Sequence, residues 1–178
     1  QRSITDSQPL FCRVDRECVG NTRPVIMPEP ILPARWQGLG INGELIVTAT
    51  TDLINAVEIY FDGIHECNTE KLSAVFHPAS SLFDADNGTV FAEPIDSFVK
   101  DVGTRTSPAS VGQARDAEIL MIGYLSPISA TVKIRIRAHK NVFVDHLGFV
   151  KSDAGWQIVS KIWHLESVVD GVADPNSV

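Results

Sequence analysis

Between Ala117 and Glu166, apolar and polar residues alternate in four successive runs, broken at Ser126-Pro127, Lys140-Asn141 and Ser152-Asp153-Ala154-Gly155. The clearest run is Ala130 to Lys140, where Val132, Ile134, Ile136 and Ala138 interleave with Lys133, Arg135, Arg137 and His139. Side chains on a strand point alternately to opposite faces, so this run predicts a strand with one buried and one wet face. Four such strands in sequence predict an antiparallel meander.

The pattern is helical earlier in the chain. Leu53, Val57, Tyr60 and Ile64 recur at offsets of four, three and four, which is one face of an amphipathic helix. Thr50 or Thr51 is expected to cap it, with Asp52 favouring its positive end. Gly63 and Asn68 mark its exit, and Leu45 to Thr48 form either a short strand or the approach to this helix. Thr69 is a candidate cap for a second, short helix through Phe76, stopped by His77-Pro78 because proline disfavours helical geometry in the residue before it. Ser81–Ala85 and Thr89–Ala92 flank Asp86-Asn87-Gly88, a hairpin signal. Pro94 opens a third helix with Ile95, Phe98, Val99 and Val102 on its apolar face, and Gly103 ends it.

These elements predict an α+β domain: a cone-shaped, curved antiparallel sheet wrapped around about three helices of the N-terminal half, enclosing a pocket. The domain is expected over residues 51–166. Residues 1–50, crowded with Pro9, Pro24, Pro28, Pro30 and Pro33, are expected to form an extended or poorly ordered arm. Residues 167–178 are expected to be a frayed tail.

Composition narrows the function classes. A chain of 178 residues suits one domain. The net charge of -7 argues against nucleic acid or anionic membrane as the main partner, since both select basic surfaces. The apolar runs are far shorter than the roughly 20 residues of a membrane span, and no continuous apolar leader is visible, so a cytoplasmic location is expected. Cys12, Cys18 and Cys67 make no disulfide framework and lack zinc-site spacing, so reduced thiols and no metal are expected.

The blocks Tyr60-Phe61-Asp62-Gly63, Val75-Phe76-His77-Pro78, Asp145-His146-Leu147 and Gly155-Trp156-Gln157-Ile158-Val159-Ser160-Lys161-Ile162-Trp163-His164 carry a likeness. From Thr51 to Glu166 the chain resembles the nuclear-transport-factor-2-like superfamily, in particular its polyketide-cyclase-like (SnoaL-like) and lumazine-binding-like branches. The resemblance implies a cone open at one end, often dimeric through the outer face of its sheet. Its ketosteroid isomerases use a tyrosine late in the first helix, an aspartate base on the strand after the second helix and a protonated acid on a later strand. Tyr60, Asp84 and Asp145 fall at or near those positions. The fold hosts isomerases, cyclases, dehydratases, epoxide hydrolases and proteins without chemistry, so it does not fix function.

Each candidate has two readings. Tyr60 either donates to a developing oxyanion or is a core tyrosine with a satisfied hydroxyl. Asp145 shares its strand face with Phe143, Leu147 and Phe149. It is either an acid or base with a raised pKa, or a structural hydrogen-bond acceptor for Tyr60, Arg115 or His164. His146 points opposite to Asp145. Ser160, Ile162 and His164 share one face of the last strand, and Lys161 and Trp163 the other. His77 is expected to cap carbonyls or stack at the mouth. Lone histidines ordinarily serve structure; His164 is the one placed in the catalytic set, tuning the network. Phe61, His77, Phe98, Arg115, His146 and Trp163 are the candidate ligand contacts.

Two functions follow. One is a cofactor-independent isomerase, cyclase or dehydratase acting on a small apolar carbonyl compound, with Asp145 or Asp84 moving a proton and Tyr60 holding the enolate oxygen. The other is a non-catalytic module that binds a small apolar or aromatic ligand, or that dimerises through the sheet.

Overall fold

The computed structural model describes residues 43–85, 88–173 and 175–176, with side-chain surroundings from Thr50 onward. The expectation for residues 1–42 lies outside the described residues, as does most of the Asp86-Asn87-Gly88 turn.

Helix α1 (Gly43–Glu66) is eight residues longer at its N-terminus than expected from Thr51. Nothing between Leu45 and Ala49 breaks a helix, so Thr50 and Thr51 lie inside it rather than capping it. Leu53, Ala56, Val57, Tyr60 and Phe61 form its buried face. Cys67 closes it in the left-handed conformation at φ 51. The N–H of Asn68 donates to the carbonyl of Gly63 at 2.8 Å and that of Cys67 to Ile64 at 3.3 Å. These two bonds satisfy carbonyls that the helix end would leave open.

Helix α2 (Thr69–Val75) is capped by Asn68, whose Oδ1 accepts from the Lys71 N–H at 3.0 Å; Thr69 is its first helical residue. Helix α3 (Ile95–Val102) begins after Pro94 and buries Ile95, Phe98 and Val102. Gly63 belongs inside α1, not at its exit: a Cβ there would lie 2.7 Å from Leu72 Cδ2, so its bare face lets α2 seat against α1.

Among the described residues, six strands form one sheet: β1 (Phe76–Asp84), β2 (Phe91–Pro94), β3 (Ala117–Ser126), β4 (Ser129–Ala138), β5 (Asn141–Ser152) and β6 (Gly155–Val168). Their order is β2-β1-β6-β5-β4-β3. The four-strand meander has the expected breaks, and Gly155 takes φ 95 in the β5–β6 turn, a conformation glycine adopts without steric cost. The sheet is mixed rather than wholly antiparallel, because the β1–β2 hairpin docks with β1 parallel to β6. Alternation fixes which face of a hairpin is buried, but not the direction in which it meets a distant strand.

Extra residues at Leu120 on β3 and at Val159 and Glu166 on β6 interrupt the ladders. Such bulges bend a strand and increase its twist, which curves the sheet around the helices. The core fills the concave side, where Leu53, Phe61, Leu72, Ile134, Leu147 and Ile158 are each at most 1% exposed. Each contributes roughly 1.5–3 kcal/mol by leaving water. Beyond β6, the tail is tied back at Asn176, whose side-chain amide accepts from the Thr106 N–H at 2.8 Å and donates to the Thr106 carbonyl at 3.0 Å.

Candidate functional site

The bulge at Val159 decides what faces the interior of the cone. Trp156 and Ile158 of β6 are buried, so strict alternation would continue inward with Ser160 and Ile162. The extra residue shifts the phase by one. Lys161 is 7% exposed and Trp163 half-buried, whereas Ile162 is 58% exposed. A lysine is thereby turned into the interior.

Lys161 meets two other buried polar groups there. Asp145 comes from β5, in the row of Leu147 and Phe149, and is fully buried. Tyr60 comes from α1, three residues beyond Val57 on the buried face. The Tyr60 hydroxyl donates to Asp145 Oδ2 at 2.7 Å. Lys161 Nζ donates to the Tyr60 oxygen at 2.9 Å and pairs with Asp145 Oδ2 at 3.0 Å. Phe98 of α3 lies beneath the ammonium, its ring centre 5.1 Å from Nζ. Burial, then the neighbouring Asp145 carboxylate, hold the Tyr60 hydroxyl well above its ordinary ionisation range, so it stays a neutral donor.

Two hydrogen-bonding positions in this triangle remain unused among the described residues. Asp145 Oδ1 is enclosed without a partner. Lys161 has three N–H bonds, of which two are directed to Tyr60 and Asp145.

The triangle forms part of the wall of a cavity of about 170 Å³. Phe98, Phe143, Trp163, Leu82 and Ile136 supply apolar walls, and Glu93 and Arg105 add charged groups. Phe143 and Trp163 meet edge to face with ring centres 5.9 Å apart. Drug-sized ligands occupy roughly 300–1,000 Å³, whereas an apolar cavity of about 150 Å³ accepts benzene. The space beside the triangle therefore holds one ring, and it shares Ile64, Arg105, Ala138 and Phe143 with a larger open hollow of about 670 Å³.

The other residues singled out from sequence are dispersed. Phe61 is buried in the core, tilted against Tyr60 with ring centres 6.3 Å apart, and is not in the cavity wall. Arg115 bridges Glu58 at 2.7 Å and Asp62 at 2.9 Å on the α1 surface and covers Phe61. Asp84 is the half-buried last residue of β1, opposite Phe91 of β2 and outside the cavity wall. His77 is exposed, its Nδ1 accepting from the Ala79 N–H at 3.1 Å. His146 and His164 are exposed on the outer face of the sheet, opposite to the one that carries Asp145 and Lys161. Tyr60, Asp145, Phe98 and Trp163 are therefore brought to one cavity, together with Lys161. Sequence reasoning placed Lys161 on the face of Trp163 but gave it no role; its value lies in a contact across two strands.

Comparison with known proteins gives the same architecture. The family model described as "Putative lumazine-binding" matches residues 49–164. No curated protein matches the chain. Among solved structures, an NTF-2-like protein of unknown function from Silicibacter pomeroyi DSS-3 is similar at 16% identity with a TM-score of 0.61, covering 68% of this chain and 98% of that one. An NTF2-like protein from Shewanella baltica OS155 is similar at 21% identity and a TM-score of 0.58, covering 66% and 94%. One from Methylobacillus flagellatus KT gives 22% identity and 0.57, covering 68% and 94%. At these identities the structures speak to the fold alone. No described helix is long and apolar enough to cross a membrane.

Proposed function

The chain belongs to the family described as "Putative lumazine-binding", and from that premise we propose that it binds a small, uncharged, single-ring carbonyl compound in its cone and moves a proton on it. The observation that carries this reading is the enclosed Lys161–Asp145 pair in the wall of the 170 Å³ cavity. Isolated buried charges are costly, and replacing such a pair by well-packed apolar residues is often neutral or stabilising. A pair kept beside a cavity, with one carboxylate oxygen unpartnered, is better accounted for by a ligand than by stability.

The roles follow from the geometry. Lys161 directs its remaining N–H to the ligand carbonyl oxygen and stabilises the negative charge that develops there. Asp145 Oδ1 accepts the proton from the carbon next to the carbonyl. The electrons of that C–H bond move into an enolate conjugated with a neighbouring C=C bond of the ligand, and the same proton is returned to the far carbon of that bond as the double bond shifts, so the reaction is an isomerisation and needs no co-reactant. Tyr60 holds the pair in place, since its own proton is committed to Asp145 Oδ2. It is a positioning residue here rather than the oxyanion donor.

A second reading is a binding module without chemistry. It is favoured by the contacts themselves, because Asp145 Oδ2 already accepts from the Tyr60 hydroxyl and pairs with Lys161, which holds the carboxylate as a fixed acceptor. A thermal-shift screen of small cyclic carbonyl, phenolic and heteroaromatic compounds, run on wild type and on Asp145→Asn, tests the binding claim. Compounds that stabilise the wild type and lose that effect in the variant support it; a screen with no shift in either protein removes it. Deuterium exchange into a bound compound next to its carbonyl then separates chemistry from binding alone.

A further inference from the structure

We propose that the open hollow beside the cone is a second binding site, which takes a small organic monocarboxylate on the guanidinium of Arg105. This goes beyond the reading of the cone and does not depend on it, since the ring compound there is uncharged. The hollow measures about 670 Å³ and lies between the end of α1, the loop after α3, the β4–β5 turn and the tail at Pro175 and Asn176. That volume falls within the roughly 300–1,000 Å³ of drug-sized ligand sites. Its walls are pinned to one another. His139, buried at the β4–β5 turn, directs its Nε2–H to the Thr106 carbonyl at 2.9 Å, and the Asn176 amide bonds the same carbonyl and the Thr106 N–H. Gln113 holds both backbone groups of His139, its Oε1 accepting from the N–H at 2.9 Å and its Nε2 donating to the carbonyl at 3.3 Å. A site fixed in advance loses less freedom on binding.

Arg105 is the one lysine or arginine among the described lining residues. It bonds Asp101, four residues earlier in the last turn of α3. A guanidinium has five N–H bonds and this contact uses one, so four have no side-chain acceptor among the described residues. Two other arginines of the chain each hold two carboxylates: Arg115 joins Glu58 and Asp62, and Arg135 joins Glu118 and Glu166. Arg105 holds one, which leaves the place of a second. Its pair with Asp101 is half-exposed, the weak kind in water, and does not lock the guanidinium. Burial raises the Cys67 thiol above its ordinary range and the Arg105 guanidinium opposes that rise, so the guanidinium stands near the Cys67 wall of the hollow.

Charge and lining give the ligand class. Arg105 already shares its single charge with Asp101, so a dianion such as phosphate would set two negative charges against that carboxylate. A carboxylate brings one and can take two N–H bonds at once, as Glu166 does from Arg135 at 2.7 and 3.1 Å. Ile64, Val102, Pro108 and Phe143 are apolar and suit a hydrocarbon body attached to the carboxylate rather than a bare ion.

The probe is cyclohexanecarboxylate, with cyclohexanecarboxamide as its neutral counterpart and sodium sulfate at matched ionic strength as the bare ion. Each is titrated into the full chain and followed by NMR of the arginine Nε–H and backbone amide signals. The carboxylate is expected to move the signals of Arg105, Thr106 and His139 saturably. It is expected to bind at least about tenfold more tightly than the amide, which lacks charge-assisted hydrogen bonds to the guanidinium. Arg105→Gln is expected to abolish that preference and Arg115→Gln to preserve it. Equal affinities of carboxylate and amide overturn the proposal, as does a preference that survives Arg105→Gln or is lost equally in Arg115→Gln. A sulfate response as strong as the carboxylate's overturns the monocarboxylate class. Movement of Lys161 and Trp163 in place of Thr106 and His139 overturns the location and puts the charged compound in the cone. Absence of carboxylate binding overturns the hollow as a site and leaves the reading of the cone standing. Should Arg105→Gln fail to fold, the carboxylate and amide comparison on wild type decides alone.

Discussion

Lys161 meets Asp145 diagonally across the β5–β6 ladder: Trp163 stands opposite Asp145, Lys161 stands opposite Leu147, and Nζ reaches Oδ2 at 3.0 Å. Diagonal neighbours on one sheet face lie about 7–8 Å apart, within reach of a long side chain. Because both groups are enclosed, removing one leaves the other without its counter-charge. Lys161→Met and Asp145→Leu are each expected to cost about 3–5 kcal/mol in urea unfolding, and the double variant to recover most of that loss. Single-variant costs under about 1 kcal/mol, as for solvent-screened pairs, would show that the pair is not enclosed.

The Tyr60 hydroxyl gives stability a dependence on high pH. The unfolded chain releases this proton near pH ~10, while the folded protein keeps it because burial and Asp145 disfavour the anion. Above that pH the unfolded state binds fewer protons than the native state, so stability falls as pH rises, by at most about 1.4 kcal/mol per pH unit. The contribution is complete below the unfolded value and is lost progressively as pH rises toward the folded one. Urea unfolding on either side of pH ~10 should show a smaller loss in Tyr60→Phe than in wild type. Equal losses would mean that Tyr60 ionises as freely folded as unfolded.

Gly63→Ala sets two effects against each other. Alanine in a helix interior gains about 1 kcal/mol over glycine. Its Cβ would lie 2.7 Å from Leu72 Cδ2 and 2.9 Å from Cγ, on a fully buried side chain, and overpacking costs about 1–3 kcal/mol. The clash is expected to win, lowering the unfolding midpoint. Adding Leu72→Ala to Gly63→Ala should then cost less than Leu72→Ala does in the wild-type background. A midpoint raised by Gly63→Ala alone would show that α2 moves away freely.

Much of the fold was legible because alternation is a local signal. The three breaks between the four strands and the apolar face of α1 followed from residues within a few positions of one another, and the family blocks reinforced them. The parallel docking of β1 on β6 was not legible, since it joins residues far apart in the chain, such as Phe83 and Ile162, 79 positions apart. At the site, Asp145 and Tyr60 could be nominated from the faces they share with apolar neighbours. Lys161 could not be linked to Asp145, because the phase shift at Val159 and the diagonal register exist only once β5 and β6 pair. Asp84 follows from a count along the family pattern and ends β1 opposite Phe91; Arg115, expected near Asp145, bridges Glu58 and Asp62; and His164, on the face of Ser160 and Ile162, stands on the outer side of the sheet.

The outer and inner faces of β6 should separate in function. Trp163→Ala removes an aromatic wall of the cavity and is expected to weaken ligand binding by about tenfold or more. His164→Ala and His146→Ala alter the opposite face and are expected to leave affinity unchanged. Titrations of the three variants with one screen hit check this; a loss with His164→Ala equal to that with Trp163→Ala would place the ligand outside the cone.

The most direct test follows the lysine ammonium groups by nitrogen NMR while the tightest compound from the thermal-shift screen is added to saturation. The Lys161 ammonium is enclosed, so its signal should be protected from solvent and should shift on binding, while those of the surface residues Lys71 and Lys151, paired to α1 carboxylates, stay in place. Saturation binding that leaves the Lys161 signal unmoved would contradict a cavity in which Lys161 and Asp145 hold the ligand.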